Sequence, residues 1–511
     1  MSINWKNYNS KNSYDEYLTP EKSLRKEAKV ISKILNSYSI KDLEKIEQNC
    51  QSTISSRGIN FKVYSADKKA AEEKKWPLDI IPRIILKSQW LKVRKGLIQR
   101  CKALNLFIND VYNQKKIFKD NIVPKDLVFK SQNYLKQCEG FMPKRKIWSH
   151  ISGIDLIRNI DGKFLVLEDN LRVPSGVSYM LENRMVMGEV FPELFTRYRV
   201  SPINHYCNRL YHCMLDAIPY KKNNPTMVVL TPGVYNSAYF EHSFLAQQMG
   251  IALVEGKDLY VENDKVYVKT VKGGLRVDCI YRRIDDTFLD PKTFFKGSLL
   301  GVAGLYKSYR KGNVGLLNAP GSGVADDKVI YSYVPKIIKY YLDEEPKLDQ
   351  VETYLCHNKS ERDHVISNIS KMIVKPADGS GGYGIIVGPK SSKSEREAYI
   401  RKILHNPRNF IAQPLEILST TPTLQGNLIE PRHQDLRPFI LSGRETYVTM
   451  GGLTRVALKK NSLMVCPTVY CKSFAKGNIQ KNEYLKALAE GIDPSISILW
   501  TGDEVVSQSI P

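Results

Sequence analysis

The stretch from Gly153 to Asn170 constrains the fold of this chain more than any other. Two apolar, β-prone runs at 154–157 and 164–167 flank Asn159-Ile160-Asp161-Gly162, and Asp-Gly between such runs predicts a β-hairpin. Folding there returns Glu168 and Asn170, at the end of the second strand, to the side of Asp155, near the start of the first. Three hard oxygen ligands then converge at the open end of the hairpin, a set suited to Mg2+ and not to zinc. The alternative is a hairpin whose acids are solvated at its rim.

A second stretch points to phosphate. Met372-Ile373-Val374-Lys375-Pro376 reads as a strand, and Asp378-Gly379-Ser380-Gly381-Gly382-Tyr383-Gly384 follows shortly after. Glycines let backbone N–H groups close over phosphate oxygens, and Lys375 supplies a point charge. Gly379, Gly381 and Gly384 match the dinucleotide spacing, but that motif needs a helix next, and Ile385-Ile386-Val387 reads as a strand. No Gly-Lys-Ser/Thr closes the loop, which excludes Walker A. The reading is a flap between two strands, with a ligand-free glycine hairpin as the alternative. Downstream, a strand at 410–416 ends in a break, placing Gln413 and Leu415 at a hinge that can offer backbone groups to an adenine edge. Arg437 and Arg455 interrupt strand-like text, where an arginine is costly without an anionic partner. They are candidates for γ-phosphate or a substrate carboxylate; structural ion pairs are the alternative.

With 511 residues and 42% hydrophobic content the chain is long enough for several domains. No apolar run approaches a membrane span and the first twenty residues hold no signal-peptide core, so a cytoplasmic location is expected. Nine cysteines without a Cys-x-x-Cys pair indicate neither a disulfide frame nor a zinc site. The net charge of +23 attracts polyanions. Its dispersal without aromatic interleaving argues against nucleic acid.

The chain divides into residues 1–145, mainly helical, with Leu97, Cys101, Leu104, Ile108 and Val111 on one helix stripe; 146–200, with the hairpin and the loop Arg172-Val173-Pro174-Ser175-Gly176; 201–325, a Rossmann-like α/β unit; 326–470, with the flap; and 471–511, a polar variable tail. The α/β unit opens with a buried strand at 227–230, a turn at Thr231-Pro232-Gly233, a helix at 237–249 and a strand at 251–254. A further hairpin turns at Asn263-Asp264. Arg282 and Arg283 are candidates for a substrate-carboxylate clamp, with pairing to Asp285 and Asp286 as the alternative. His242 is a candidate acid/base or a hydrogen-bonded structural histidine. Lys328 is placed to reach ATP, while Asp327 reads as a helix cap.

Together these residues resemble the ATP-grasp superfamily, in which an Asp on one strand precedes a Glu-x-Asn and a Pro-Gly loop follows. Here the lid lies downstream of the metal hairpin, so the order resembles the circularly permuted ATP-grasp family, also described as glutathionylspermidine-synthase-like. Leu230-Thr231-Pro232-Gly233-Val234-Tyr235-Asn236-Ser237-Ala238-Tyr239-Phe240-Glu241-His242, Tyr281-Arg282-Arg283-Ile284-Asp285-Asp286 and the run at 451–458 fit it closely. One departure is the segment 464–472, where the family generally carries Asn-Ser-Ser-Gln-Gly-Gly.

The resemblance implies a circularly permuted ATP-grasp α/β fold with a pre-ATP-grasp domain, ATP and Mg2+ as cofactors, and ligation of a carboxylate to an amine. It assigns Asp155, Glu168 and Asn170 to Mg2+, Lys328, Lys375 and residues 379–384 to ATP, and Arg172, Arg437 and Arg455 to catalysis. The departure at 464–472 keeps a non-catalytic ATP-binding protein open, and a kinase that releases a phosphorylated product is a third reading. The sequence names neither acceptor nor donor and is silent on oligomeric state.

Overall fold

The computed structural model describes residues 8–10, 12–63, 72–197, 200–379, 384–426 and 428–457. Of the elements that position the site, four come first in chain order: a long helix α1 (Lys87–Tyr112), the hairpin strands β1 (Ile151–Arg158) and β2 (Phe164–Asn170), and a helix α2 (Val177–Val190). The α/β unit follows as β3 (Met227–Leu230), α3 (Tyr239–Met249), β4 (Ala252–Val254), β5 (Cys279–Arg282) and β6 (Gly315–Leu317). Helix α4 (Lys328–Leu342) leads to β7 (Tyr354–Leu355), β8 (Met372–Pro376), β9 (Ile386–Val387) and β10 (Phe410–Pro414). The described chain closes on β11 (Thr420–Gln425), β12 (Leu428–Ser442) and β13 (Thr446–Val456).

Three of the sheets position the site. The core sheet runs β11–β12–β1–β2, with β13 also paired to β12, so the early hairpin is completed by strands from the far end of the described chain. A four-stranded sheet β6–β5–β3–β4 is parallel throughout. The third sheet, β7–β10–β8–β9, is antiparallel.

Helix α1 carries the predicted apolar stripe and uses it twice. Trp90, Val93, Leu97 and Cys101 pack with Ile154, Leu156, Val166, Leu436 and Ile440 on the back of the core sheet. Leu104, Phe107, Ile108 and Val111 join Val228, Leu230 and Ile280 of the parallel sheet. One helix therefore fixes two sheets against each other, and β1 is free to present its other face, Gly153 and Asp155, to the site.

Both predicted turns form. Gly162 has φ 77° in the first, and Asn263 and Asp264 have φ 50° and 57° in the second, the left-handed pair of a tight hairpin turn. A third strand, Gly273–Arg276, extends that second hairpin and was not expected. Residues 60–63 and 72–75 form a two-stranded sheet among the N-terminal helices. The segment 464–472, the tail 471–511 and the loop residues Ser380, Gly381, Gly382 and Tyr383 lie outside the described residues.

Candidate nucleotide and metal site

The register of the hairpin sets the site. Leu156 pairs with Val166 but Asp155 pairs with Glu168, so one extra residue, Leu167, bulges from β2. Without that bulge Asp155 would face Leu167; with it the two carboxylates are cross-strand neighbours on one face. Gly153 pairs with Asn170 on the same face. Leu436 pairs with Leu156 on the back, which turns Asp435 and Arg437 to the front, and Asp435 pairs with Arg455. A row of charges thus crosses the sheet: Glu168, Asp155, Arg437, Asp435, Arg455.

Within this row Asp155 is fully buried and held from two sides. Arg437 donates from Nε to Oδ1 at 2.5 Å and from Nη2 to Oδ2 at 2.7 Å, and Arg455 Nη2 lies 2.9 Å from Oδ2. Arg455 also donates from Nε to Asp435 Oδ1 at 2.7 Å. Gly153 lies beneath this pair, and a Cβ there would sit 3.1 Å from Pro174 Cβ and in ordinary contact with Arg437 Cδ at 3.4 Å. Burial would raise the Asp155 carboxyl, but the two guanidiniums outweigh it and hold it at about 2. Asp435 moves the other way, pushed up by burial and by Asp155 against the pull of Arg455.

Glu168 is held differently, by cations from other parts of the chain. Lys328, at the first turn of α4, places Nζ 3.1 Å from Glu168 Oε1 and donates to the carbonyl of Gly379 at 2.6 Å. Lys375, on β8 of the third sheet, donates to Gln413 Oε1 at 2.7 Å, and Gln413 donates to Thr353 Oγ1 at 3.0 Å. Burial raises the Glu168 carboxyl, but Lys328 and Lys375 lower it by more than burial and Asp155 raise it. The Asn170 amide nitrogen is buried with no hydrogen-bond partner among the described residues.

Lys328 also ties the flap base down, its backbone N–H donating to Ala377 at 2.9 Å. Asp327 caps α4 as expected, accepting from Val329 N at 2.9 Å, and binds Arg408 and Ser131 at 2.6 Å each. Leu415 packs with Ile373, Ile385 and Val387, an apolar patch on the sheet that carries Lys375. Gly384 closes the described part of the loop with φ 70°.

Three candidate substrate residues, Arg282, Arg283 and His242, are enclosed by other parts of the chain. Arg282 and Arg283 are buried and turned inward: Arg282 donates to the carbonyls of Asn318 and Ile284 at 2.7 Å and pairs with Asp286. Arg283 donates to the carbonyl of Pro174 at 2.7 Å, to the Tyr281 hydroxyl at 2.9 Å and to Ser175 Oγ, and pairs with Glu241 at 3.1 Å. Arg282 is bonded within the α/β unit, and Arg283 ties the parallel sheet to the loop that follows the hairpin. His242 is buried with Nδ1 2.8 Å from Thr231 Oγ1. Burial, with Arg283 adding to it, holds its pKa well below the ordinary value, which disfavours the charged imidazole.

Arg172 pairs with Asp285 at 2.9 Å and lies 3.6 Å from Asp326. Asp326 is pushed up to about 7 by burial, with Arg172 opposing.

Several residues of the site are not marked as such in the sequence. Asp435 follows from strand alternation, since it lies two residues from Arg437 and shares its face. Asp169, between the two hairpin ligand candidates, points to the back and takes a bidentate pair from Arg100 of α1 at 2.6 Å and 2.6 Å. That partner lies far upstream, and only the neighbouring acidic text at 168–169 hints at it.

A sequence model of the family described as circularly permuted ATP-grasp type 2 matches residues 82–457. A second model, described as beta-N-acetylglucosaminidase, matches residues 449–511, nearly all outside the described residues. A Synechocystis protein is 49% identical over 459 residues, spanning 90% of this chain and 95% of its own length. A Mycobacterium tuberculosis protein is 47% identical over 410 residues, spanning 80% of this chain and 73% of its own. A Frankia casuarinae protein provisionally named glutamate–cysteine ligase 2-2 is 38% identical over 446 residues, and the match spans 87% of this chain but 51% of that one. Among solved structures, a glutathione synthetase-like effector from Globodera pallida superposes with a TM-score of 0.52 at 12% identity, covering 82% of this chain and 95% of the other, a likeness of fold. With the family model covering most of the chain and the permuted order visible in the core sheet, the chain belongs to the circularly permuted ATP-grasp type 2 family.

Proposed function

We propose that this protein is an ATP-dependent ligase that joins a carboxylate to an amine, releasing ADP and phosphate. The observation that carries the reading is the meeting of Glu168 from the core sheet, Lys375 from the facing sheet and Lys328 from α4. Basic groups converging from separate elements on a carboxylate that faces a second carboxylate suit a polyphosphate with its divalent cation.

The residues present fit Mg2+ by donor type. Asp155 and Glu168 are like charges directly opposed on a ladder, balanced by Arg437 and Arg455 at the one and Lys328 at the other, and Mg2+ would take over part of that balance. No group of three His, Cys, Asp or Glu side chains is placed to hold a metal among the described residues, so the third oxygen would come from Asn170. Mg2+ held there would neutralise charge on the β- and γ-phosphates. Lys328 and Lys375 would bind phosphate oxygens, and the patch of Ile373, Val387 and Leu415 would take the adenine. The substrate carboxylate attacks the γ-phosphorus and ADP leaves; the amine then attacks the acyl carbon, phosphate leaves, and the amine proton passes to solvent. Arg437 and Arg455 would steady the acyl phosphate, which requires them to loosen their hold on Asp155; Arg172 would sit at the end of the hairpin loop.

The name of the Frankia relative describes a ligase joining two amino acids, a reaction of this class, but half of that chain lies outside the match. Its substrates are therefore not carried over. ADP release against a panel of carboxylates, with and without amines, tests the reading. Release that needs both supports a ligase, release with a carboxylate alone points to a kinase, and nucleotide binding without release points to a non-catalytic ATP-binding protein. Glu168→Ala is expected to abolish substrate-dependent release with the fold intact.

A further inference from the structure

Leu171 follows the candidate metal ligand Asn170 and precedes Arg172, and both of its main-chain polar groups are gripped by side chains. Its N–H donates to Asp326 Oδ1 at 2.6 Å, and its carbonyl accepts from Asn318 Nδ2 at 2.7 Å. Both side chains come from one strap, residues 318–328, between the parallel sheet and α4.

Asn318 does more than this. Its Oδ1 accepts from the N–H groups of His150 and Ile151 at 2.8 Å each, and its Nδ2 also donates to the carbonyls of Ile151 at 2.7 Å and Arg172 at 3.2 Å. One buried side-chain amide therefore joins the start of β1 to the end of β2, and Arg282 Nε donates to the main-chain carbonyl of the same residue. Further along the strap, a Cβ on Gly323 would lie 2.9 Å from Arg172 Cδ, so the arginine lies against the strap backbone. At its end Lys328 meets Glu168. An apolar residue at 318 could fill the space but could not fix the hairpin ends in register, which is what a fully bonded buried amide does.

We propose that Asn318 and Asp326 are positioning residues that clamp the Leu171 peptide from both sides and so set Asn170 and Arg172 for the metal and substrate they face. The inference rests on the ATP and metal reading above. ADP affinity is measured by calorimetry on the full chain in EDTA and in excess Mg2+, with Mn2+ affinity followed by electron paramagnetic resonance. Asn318→Ala should keep EDTA affinity within about threefold, because Lys328 and Lys375 are untouched, and lose at least about tenfold in the Mg2+-dependent gain and in Mn2+ affinity. Asp326→Ala should lose the same gain, and Asp326→Asn, which keeps an oxygen for the Leu171 N–H, should restore it to within about threefold. A general loosening of the fold would lower both affinities together and would not distinguish the two Asp326 variants; that result, or a gain equal to the parent's, overturns the proposal. If Asn318→Ala does not fold, the Asp326 pair decides. A parent chain with no Mg2+-dependent binding overturns the metal reading itself and this inference with it.

Discussion

Asp155 and Glu168 face each other across one rung of the core sheet, and the chain holds them in opposite ways. Asp155 is enclosed within the sheet, both oxygens taken by guanidiniums from β12 and β13, with Asp435 sharing one of them. Glu168 is held by Lys328 from the strap's end and faces Lys375 from another sheet. The first cluster is tied within one sheet and gains geometry from it; the second brings three separately placed segments together, and a ligand can exchange with their side chains by moving lysine ends alone. The difference explains why arginine stands at one end and lysine at the other: a bidentate fork suits a fixed carboxylate, a flexible point charge suits phosphate.

The sharpest way to break this contrast is at Arg455. Arg455→Met leaves Asp435 buried without its cation, and an unpaired buried charge costs about 3–5 kcal/mol. Urea unfolding should show a loss of that order; a midpoint equal to the parent's would mean that the Asp155 cluster is not the closed network described.

The next effect is pH-dependent. Asp155 ionises in the folded chain at about 2, below its ordinary 3.8. Its contribution is therefore fully present above the ordinary carboxylate range and lost as pH falls through about 2, and it amounts to about 2 kcal/mol. The stability difference between the parent and Asp155→Asn should narrow from about pH 6 towards about pH 2.5. A difference that stays flat contradicts the account of that carboxylate.

The smallest effect is expected at the exchangeable end. Lys375→Gln should keep stability near the parent's and weaken nucleotide binding about tenfold, about 1.4 kcal/mol, with a shallower salt dependence. Equal affinity would leave Glu168 with Lys328 alone as the phosphate-facing cation of this pair.

The same contrast shows what the sequence could express. The hairpin, its turn and the strand arginines are local in period and turn chemistry, so Asp155, Glu168, Arg437 and Arg455 stand out in the sequence, where ion pairing of the arginines with nearby acids, the arrangement found here, is one of two readings. The bulge at Leu167, which makes Glu168 rather than Leu167 the neighbour of Asp155, depends on pairing and not on any local residue. For Arg282, Arg283 and His242 the residue types alone left a substrate role and a structural role both open. Arg282 takes the local partners Ile284 and Asp286 as well as Asn318, whereas Arg283 meets Pro174, Ser175 and Glu241 from other segments brought close by folding. Asn318 and Asp326 carried no signal at all, since their meaning lies in the Leu171 peptide of a segment far upstream.

The most direct test of the central claim is at Glu168 itself. Titrating ADP into the parent and Glu168→Gln, each in EDTA and in excess Mg2+, should show a Mg2+-dependent gain in affinity for the parent and its loss in the variant, with EDTA affinity alike in both. A variant that keeps the full Mg2+-dependent gain would contradict the assignment of this end of the hairpin to the metal and nucleotide.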